Sequence, residues 1–124
     1  MRTTRILVID DDVLVREMLA RIIVAADHEV TKAADGSEGL QLFDDGEFDL
    51  VITDILMPEM EGIETIQELR RRNRETKIIA ISGGDRSGNK MYLEMAEKLG
   101  ADGVLTKPIR QKDLLDKIDS LLNA

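Results

Sequence analysis

Leu50-Val51-Ile52-Thr53-Asp54-Ile55-Leu56-Met57-Pro58 is the stretch that decides the fold. Leu50 to Ile52 is a short apolar run and reads as a buried strand. Asp54 follows just past its end, and Pro58 cannot continue a sheet ladder. A carboxylate at the mouth of a buried strand is costly unless something pairs with it. Taken alone, Asp54 can equally be a strand-end aspartate that begins a turn. What the rest of the chain brings to the same place separates the two readings.

Toward the N-terminus, Ile6-Leu7-Val8-Ile9 is a continuous branched apolar run, a central strand covered on both faces. It stops abruptly at Asp10-Asp11-Asp12. Helical spacing follows, with Val15, Met18, Leu19, Ile22 and Ile23 on one stripe and Asp12 placed to cap it. Glu29 to Ala33 is a weaker second strand. Asp35-Gly36-Ser37 starts a second helix whose short apolar face is Leu40 and Phe43, ended by Asp44-Asp45-Gly46.

Toward the C-terminus, Gly62 to Asn73 reads as a helix with Ile63, Ile66 and Leu69 inward. Lys77 to Ser82 is a fourth strand with Ile78, Ile79 and Ile81 buried. A glycine-rich loop runs from Gly83 to Asn89, and a helix with Met91, Met95 and Leu99 on one face stops at Gly100. Gly103 to Thr106 is a fifth strand, broken by Lys107-Pro108. The last helix carries Leu114, Leu115, Ile118, Leu121 and Leu122.

Strand and helix thus alternate five times over short connections. That pattern implies a doubly wound α/β fold, a parallel sheet with helices on both faces. The 124 residues suit one domain spanning 1–124, with no linker or low-complexity tract. An output module, if there is one, is expected on another chain.

Composition narrows the chemistry. There is no Cys and only one His, His28, so thiolate and His-rich metal sites are excluded and any metal is held by oxygen. The net charge of −8 argues against direct binding to nucleic acid or an anionic membrane. The apolar run after Met1-Arg2-Thr3-Thr4-Arg5 is too short for a signal peptide or a bilayer span, so a cytoplasmic location is the expectation.

In an open α/β sheet, ligands gather outside the carboxyl ends of the strands. There the first strand offers Asp10, Asp11 and Asp12, the third Asp54, the fourth Ser82 and the fifth Lys107. Carboxylates crowded on one edge need relief by protonation, by a cation, or by both. Among common ions, Mg²⁺ best suits oxygen ligands with a few waters. Acids with Mg²⁺, facing a Lys and a hydroxyl, are apparatus for holding a phosphoryl group. An ionised Asp54 needs no base to act as nucleophile. Each piece also has a plain reading: a helix cap, a loop hydroxyl, a surface lysine before a proline.

Jointly, Ile6-Leu7-Val8-Ile9-Asp10-Asp11-Asp12, Thr53-Asp54-Ile55-Leu56-Met57-Pro58 with Gly62, Ile81-Ser82-Gly83, Gly100-Ala101-Asp102-Gly103 and Lys107-Pro108 resemble the receiver domain of bacterial two-component response regulators, in a stand-alone, chemotaxis-regulator-like form. The resemblance covers essentially the whole chain. It implies a flavodoxin-like five-stranded sheet in the order 2-1-3-4-5. It implies that Asp54 accepts a phosphoryl group from a phosphohistidine of a histidine kinase or histidine phosphotransfer protein. Asp11, Asp54 and the backbone carbonyl of Leu56 would ligate Mg²⁺, with Asp10 acting mainly through water. Ser82 would hydrogen-bond the phosphoryl group and Lys107 would pair with it. The Lys107–Pro108 peptide would be cis. Catalysis would be limited to the chain's own phosphotransfer and slow self-dephosphorylation, in a monomer or weak dimer.

The chain departs from the family pattern in three places. Val104 stands where Tyr or Phe is usual, which puts the family's aromatic switch in doubt; Tyr92, the only Tyr, reads as a helix-face residue. The loop after Ser82 is longer than usual and carries three glycines, so it is expected to carry much of the response. Ile109 replaces a frequent Phe, a packing change. Arg70-Arg71-Arg72-Asn73-Arg74 is either a docking patch or, as favoured here, helix-end charges complementing the dipole with a Glu68–Arg72 pair. By the resemblance, a kinase docks beside the first helix, and a downstream partner reads exposed residues of Met91–Leu99 and Asp113–Asn123. A degenerate receiver acting without phosphorylation, a flavodoxin-like flavin carrier and a Mg²⁺ phosphatase are the competing readings. Three acids after the first strand and few aromatics speak against the flavin.

Overall fold

The structure, a computed structural model, describes residues 4–55, 62–83 and 94–123. Five strands form one parallel sheet: β1 (Arg5–Ile9), β2 (Glu29–Ala33), β3 (Leu50–Asp54), β4 (Lys77–Ser82) and β5 (Gly103–Thr106). Their order is β2-β1-β3-β4-β5. The helices are α1 (Val13–Ala25), α2 (Gly36–Asp45), α3 (Gly62–Arg72), α4 (described over 94–99) and α5 (Gln111–Leu122).

The sheet is central because its strands are apolar on both sides. Alternate residues feed two cores. Leu7, Ile9, Val51, Ile78 and Ala80 face α2, α3 and α4, meeting Leu40, Phe43, Ile66, Leu69 and Ala96. Ile6, Val8, Leu50, Ile52, Ile79 and Ile81 face α1 and α5, meeting Leu19, Ile23, Leu114 and Ile118. This period-two split is why β1, β3 and β4 show no alternation of polarity in sequence. Truncating such a buried Leu or Ile to Ala typically costs about 2–5 kcal/mol.

Local signals set the helix starts. The Asp12 carboxylate accepts from the N–H groups of Leu14 and Val15, and that of Asp35 from Glu38. Gly100 ends α4 with φ +127°, a conformation open to glycine. Two residues of the expected apolar stripes are only partly covered. Met18 is 38% exposed and Met95 40% exposed. Ala20 and Ala96 are buried nearby in the same helices. The expected helix face including Met91 lies partly outside the described residues.

Register aligns the strand ends. Ile9 pairs with Thr53, Asp54 with Ile81, and Ser82 with Thr106. Asp10, Asp54, Ser82 and Lys107 therefore share one edge. Strand order reverses between β1 and β3, with β2 on the far side of β1, and this opens the crevice at their carboxyl ends.

Candidate functional site

Asp10 leaves β1 fully buried. Its Oδ1 accepts from the Asp12 N–H at 2.9 Å, and its backbone carbonyl accepts from Arg16 Nη1 at 2.8 Å. Its Oδ2 lies 3.3 Å from Lys107 Nζ but makes no hydrogen bond among the described residues. Asp11 is exposed at the rim. Asp54, expected just past its strand, is the last residue of β3 and 4% exposed. Its Oδ2 accepts from Lys107 Nζ at 2.9 Å. Ser82 is buried at the end of β4, and its Oγ has no hydrogen-bond partner among the described residues. Lys107 is held by its own N–H, which donates to Ser82 O at 2.8 Å, and the Lys107–Pro108 peptide is cis.

Five of the six candidate residues are thus gathered at one edge, and the sixth, Leu56, lies outside the described residues. Asp10, Asp11 and Asp54 each offer a carboxylate oxygen within 4.8 Å of the other two. Burial pushes the Asp10 carboxyl above its ordinary pKa, helped by the like charge of Asp54; the Asp12 N–H and Lys107 only partly offset this. Burial alone would lower the Lys107 pKa, yet its hydrogen bond to Asp54 and the charges of Asp54 and Asp10 raise it. Among the described residues, three carboxylates face one ammonium at this edge.

The donor set fits Mg²⁺. It is all oxygen, it is acidic, and it contains a buried carboxylate oxygen, Asp10 Oδ2, with no hydrogen bond among the described residues.

Two contributors are visible only in three dimensions. Arg16, one turn into α1, ties the helix to the Asp10 carbonyl. Its only sequence signal is a position four residues after the capping Asp12. Gly62 opens α3 directly against the end of β3: a Cβ there would sit 2.1 Å from Asp54 O and 2.2 Å from Ile55 Cα. No other residue lets the helix approach so closely.

Val104 is half-buried and packs on the core beside Leu99 and Ala101, so an aliphatic side chain fills the place of the expected aromatic. Tyr92 and most of the loop after Ser82, residues 84–90, lie outside the described residues. The Glu68–Arg72 pair forms at 3.2 Å, as the spacing predicts. Among the described residues, no helix is long and apolar enough to cross a membrane.

The profile of the response regulator receiver domain matches residues 6–119. A probable transcriptional regulator, ycf27, from Cyanophora paradoxa is 36% identical over 118 residues, covering 95% of this chain and 48% of that protein. The chain spans about half the length of the curated relatives it matches. Among solved structures, a CheY-like receiver domain from Methanospirillum hungatei superposes with a TM-score of 0.89 at 31% identity, covering 98% of this chain and 95% of that one. The chemotaxis regulator CheY4 of Vibrio cholerae superposes at 0.88 with 30% identity, covering 98% and 100%. Sheet order, the acid cluster at the switch point and these likenesses agree: the chain belongs to the response regulator receiver domain family of two-component systems.

Proposed function

We propose that residues 1–124 act as one receiver domain that takes a phosphoryl group onto Asp54 from a phosphohistidine of a sensor kinase or phosphotransfer protein. The observation that carries this is the buried Asp54 carboxylate, 2.9 Å from Lys107 Nζ and grouped with Asp10 and Asp11. A carboxylate oxygen of Asp54 attacks phosphorus, the P–N bond to the imidazole breaks, and an acyl phosphate forms. Lys107 pairs with the added charge, and the Ser82 hydroxyl donates to a phosphoryl oxygen. Asp11 and Asp54, with the Leu56 carbonyl, would hold Mg²⁺, and Asp10 would assist through water. Bound there, Mg²⁺ supplies positive charge opposite the transferring phosphoryl oxygens.

The donor would dock on α1. Leu14 is 78% exposed, and with Met18, Ile22 and Ile109 it lines a groove of about 540 Å³ beside the acid edge. Apolar surface this open suits a partner helix. The reading places the protein in the cytoplasm, as a monomer or weak dimer, with an unidentified downstream partner. It assigns no activity beyond phosphotransfer and slow self-dephosphorylation. With Val104 in place of an aromatic, the signal leaves the site by another route than a ring flip.

Incubation with Mg²⁺ and a small phosphodonor, followed by intact mass, tests the reading. The wild type is expected to gain one phosphoryl group and Asp54→Ala none. A gain that survives Asp54→Ala, or no gain in the wild type, overturns it.

A further inference from the structure

We propose that the groove between the C-terminal ends of α3 and α4 is a docking site for an acidic peptide segment of a partner protein, one that carries an apolar side chain among its carboxylates. The groove measures about 590 Å³ and is lined by Arg70, Arg71, Arg74, Lys98, Leu99 and Gly100. It lies at the edge where β4 and β5 begin, opposite the edge that carries Asp54 and Lys107. Its four cations stand out on a chain whose net charge is −8.

The cations divide into a fixed floor and an open rim. Arg70 is committed to the fold: its Nε donates to Gly100 O at 2.8 Å, its Nη1 to Thr76 O at 2.5 Å, and its Nη2 pairs with Asp102. These bonds cap carbonyls that would otherwise present negative charge to the groove. Arg71 bridges to Glu68 but its side chain remains 78% exposed. Arg74 and Lys98 are exposed and have no ion-pair partner among the described residues.

The chemistry of the walls selects the occupant. A compact phosphate is held by converging backbone N–H groups at a helix N-terminus, and the described groove offers separated side-chain cations instead. No aromatic residue lines it among the described residues, so they offer a nucleobase nothing to stack on. A long polyanion would run past the groove's cations onto a surface of net negative charge, whereas a short acidic segment stays within them. Spaced carboxylates reaching Arg71, Arg74 and Lys98, with an apolar side chain against half-buried Leu99, match what is present.

The test uses the full chain without phosphodonor, so it stands or falls separately from phosphorylation of Asp54. Backbone amide shifts are followed on titration with a blocked Glu-rich peptide bearing one central Leu. Expected are saturable shifts centred on Arg74, Lys98, Leu99 and Gly100. Affinity should fall about tenfold or more in Arg74→Glu/Lys98→Glu, by an intermediate factor in Arg74→Gln/Lys98→Gln, and measurably when the central Leu is Ser. Both positions are exposed, and an unchanged spectrum away from the groove reports that the variants fold. No saturable shift, equal binding by the variants, equal binding of a Lys-rich peptide, or tighter binding of inorganic phosphate or a single-stranded oligonucleotide would each overturn the proposal.

Discussion

Replacing Asp10 with Asn removes one charge from a fully buried carboxylate and preserves its shape. Without divalent cation, the change is expected to stabilise the fold by about 1–3 kcal/mol. Asn keeps the acceptor oxygen for the Asp12 N–H. It gives up the attraction of Lys107 Nζ at 3.3 Å, about 5 kcal/mol at an effective dielectric constant of about 20. Against that, it relieves repulsion by Asp54 and Asp11, whose oxygens lie within 4.8 Å, at about 3.5 kcal/mol each on the same scale, with Asp11 discounted because it is exposed. It also removes the burial penalty of an ion, several kcal/mol, and that is the largest influence on the group. Lys107 retains Asp54 at 2.9 Å in the variant.

The assay is thermal unfolding at pH 7 in chelator and again in Mg²⁺. In chelator, Tm should rise by about 3–12 °C. With Mg²⁺ the order narrows or reverses, because an ion at ten times its Kd adds about 1.4 kcal/mol to the wild type and the Asn site binds it poorly. The pH dependence has a definite sign. A carboxyl whose folded pKa lies above its ordinary value of 3.8 lowers stability as pH rises from 3.8 through the folded value, and the loss is complete above it. The gain from Asn is therefore full above the raised folded value and vanishes below about pH 3.8. A fall in Tm in chelator at pH 7 would refute the reasoning, since it would mean that the pair with Lys107 outweighs burial and repulsion together.

Lys107→Met leaves the buried Asp54 and Asp10 carboxylates without their ammonium and should cost about 2–4 kcal/mol in urea denaturation with chelator present; an unchanged midpoint would contradict the pairing. Because the Lys107 pKa is raised, its contribution is whole at neutral pH and fades only as pH climbs through that raised value, above 10.5. Gly62→Ala drives a Cβ into backbone at Asp54 and Ile55, so a loss of about 3 kcal/mol or more and slower phosphoryl gain by time-resolved mass are expected; wild-type behaviour would show that α3 stands further off. Arg70→Ala strips partners from Gly100 O, Thr76 O and Asp102, for an expected loss of about 2–4 kcal/mol in chemical denaturation, and a neutral result would show these bonds replaced by water.

Much of the fold was legible because two periodicities are strong here. Branched runs such as Ile6–Ile9 and Lys77–Ser82 have few residues able to pack as anything but interior strands, and Asp12 and Asp35 mark helix starts by chemistry that acts within three residues. Met18 and Met95 stay partly exposed on their stripes, because periodicity names a stripe and cannot say how much of its width a neighbour covers.

The sequence by itself determined the alternation of strands and helices, the helix caps, the exclusion of thiolate and His-rich metal sites, and the acids, hydroxyl and lysine at four strand ends. These follow from side-chain chemistry and from spacing along the chain. Only the tertiary structure decided that those ends converge. Parallel pairing of Ile9 with Thr53, Asp54 with Ile81 and Ser82 with Thr106 brings together residues far apart in the chain, such as Lys107 with Asp54 and with Asp10. It also decided that Asp10 is wholly buried, that Arg16 and Gly62 support the site, and that Arg70 is spent on carbonyls while Arg74 and Lys98 face solvent. Burial and pairing depend on what the rest of the chain places alongside a residue, and local sequence carries no record of that.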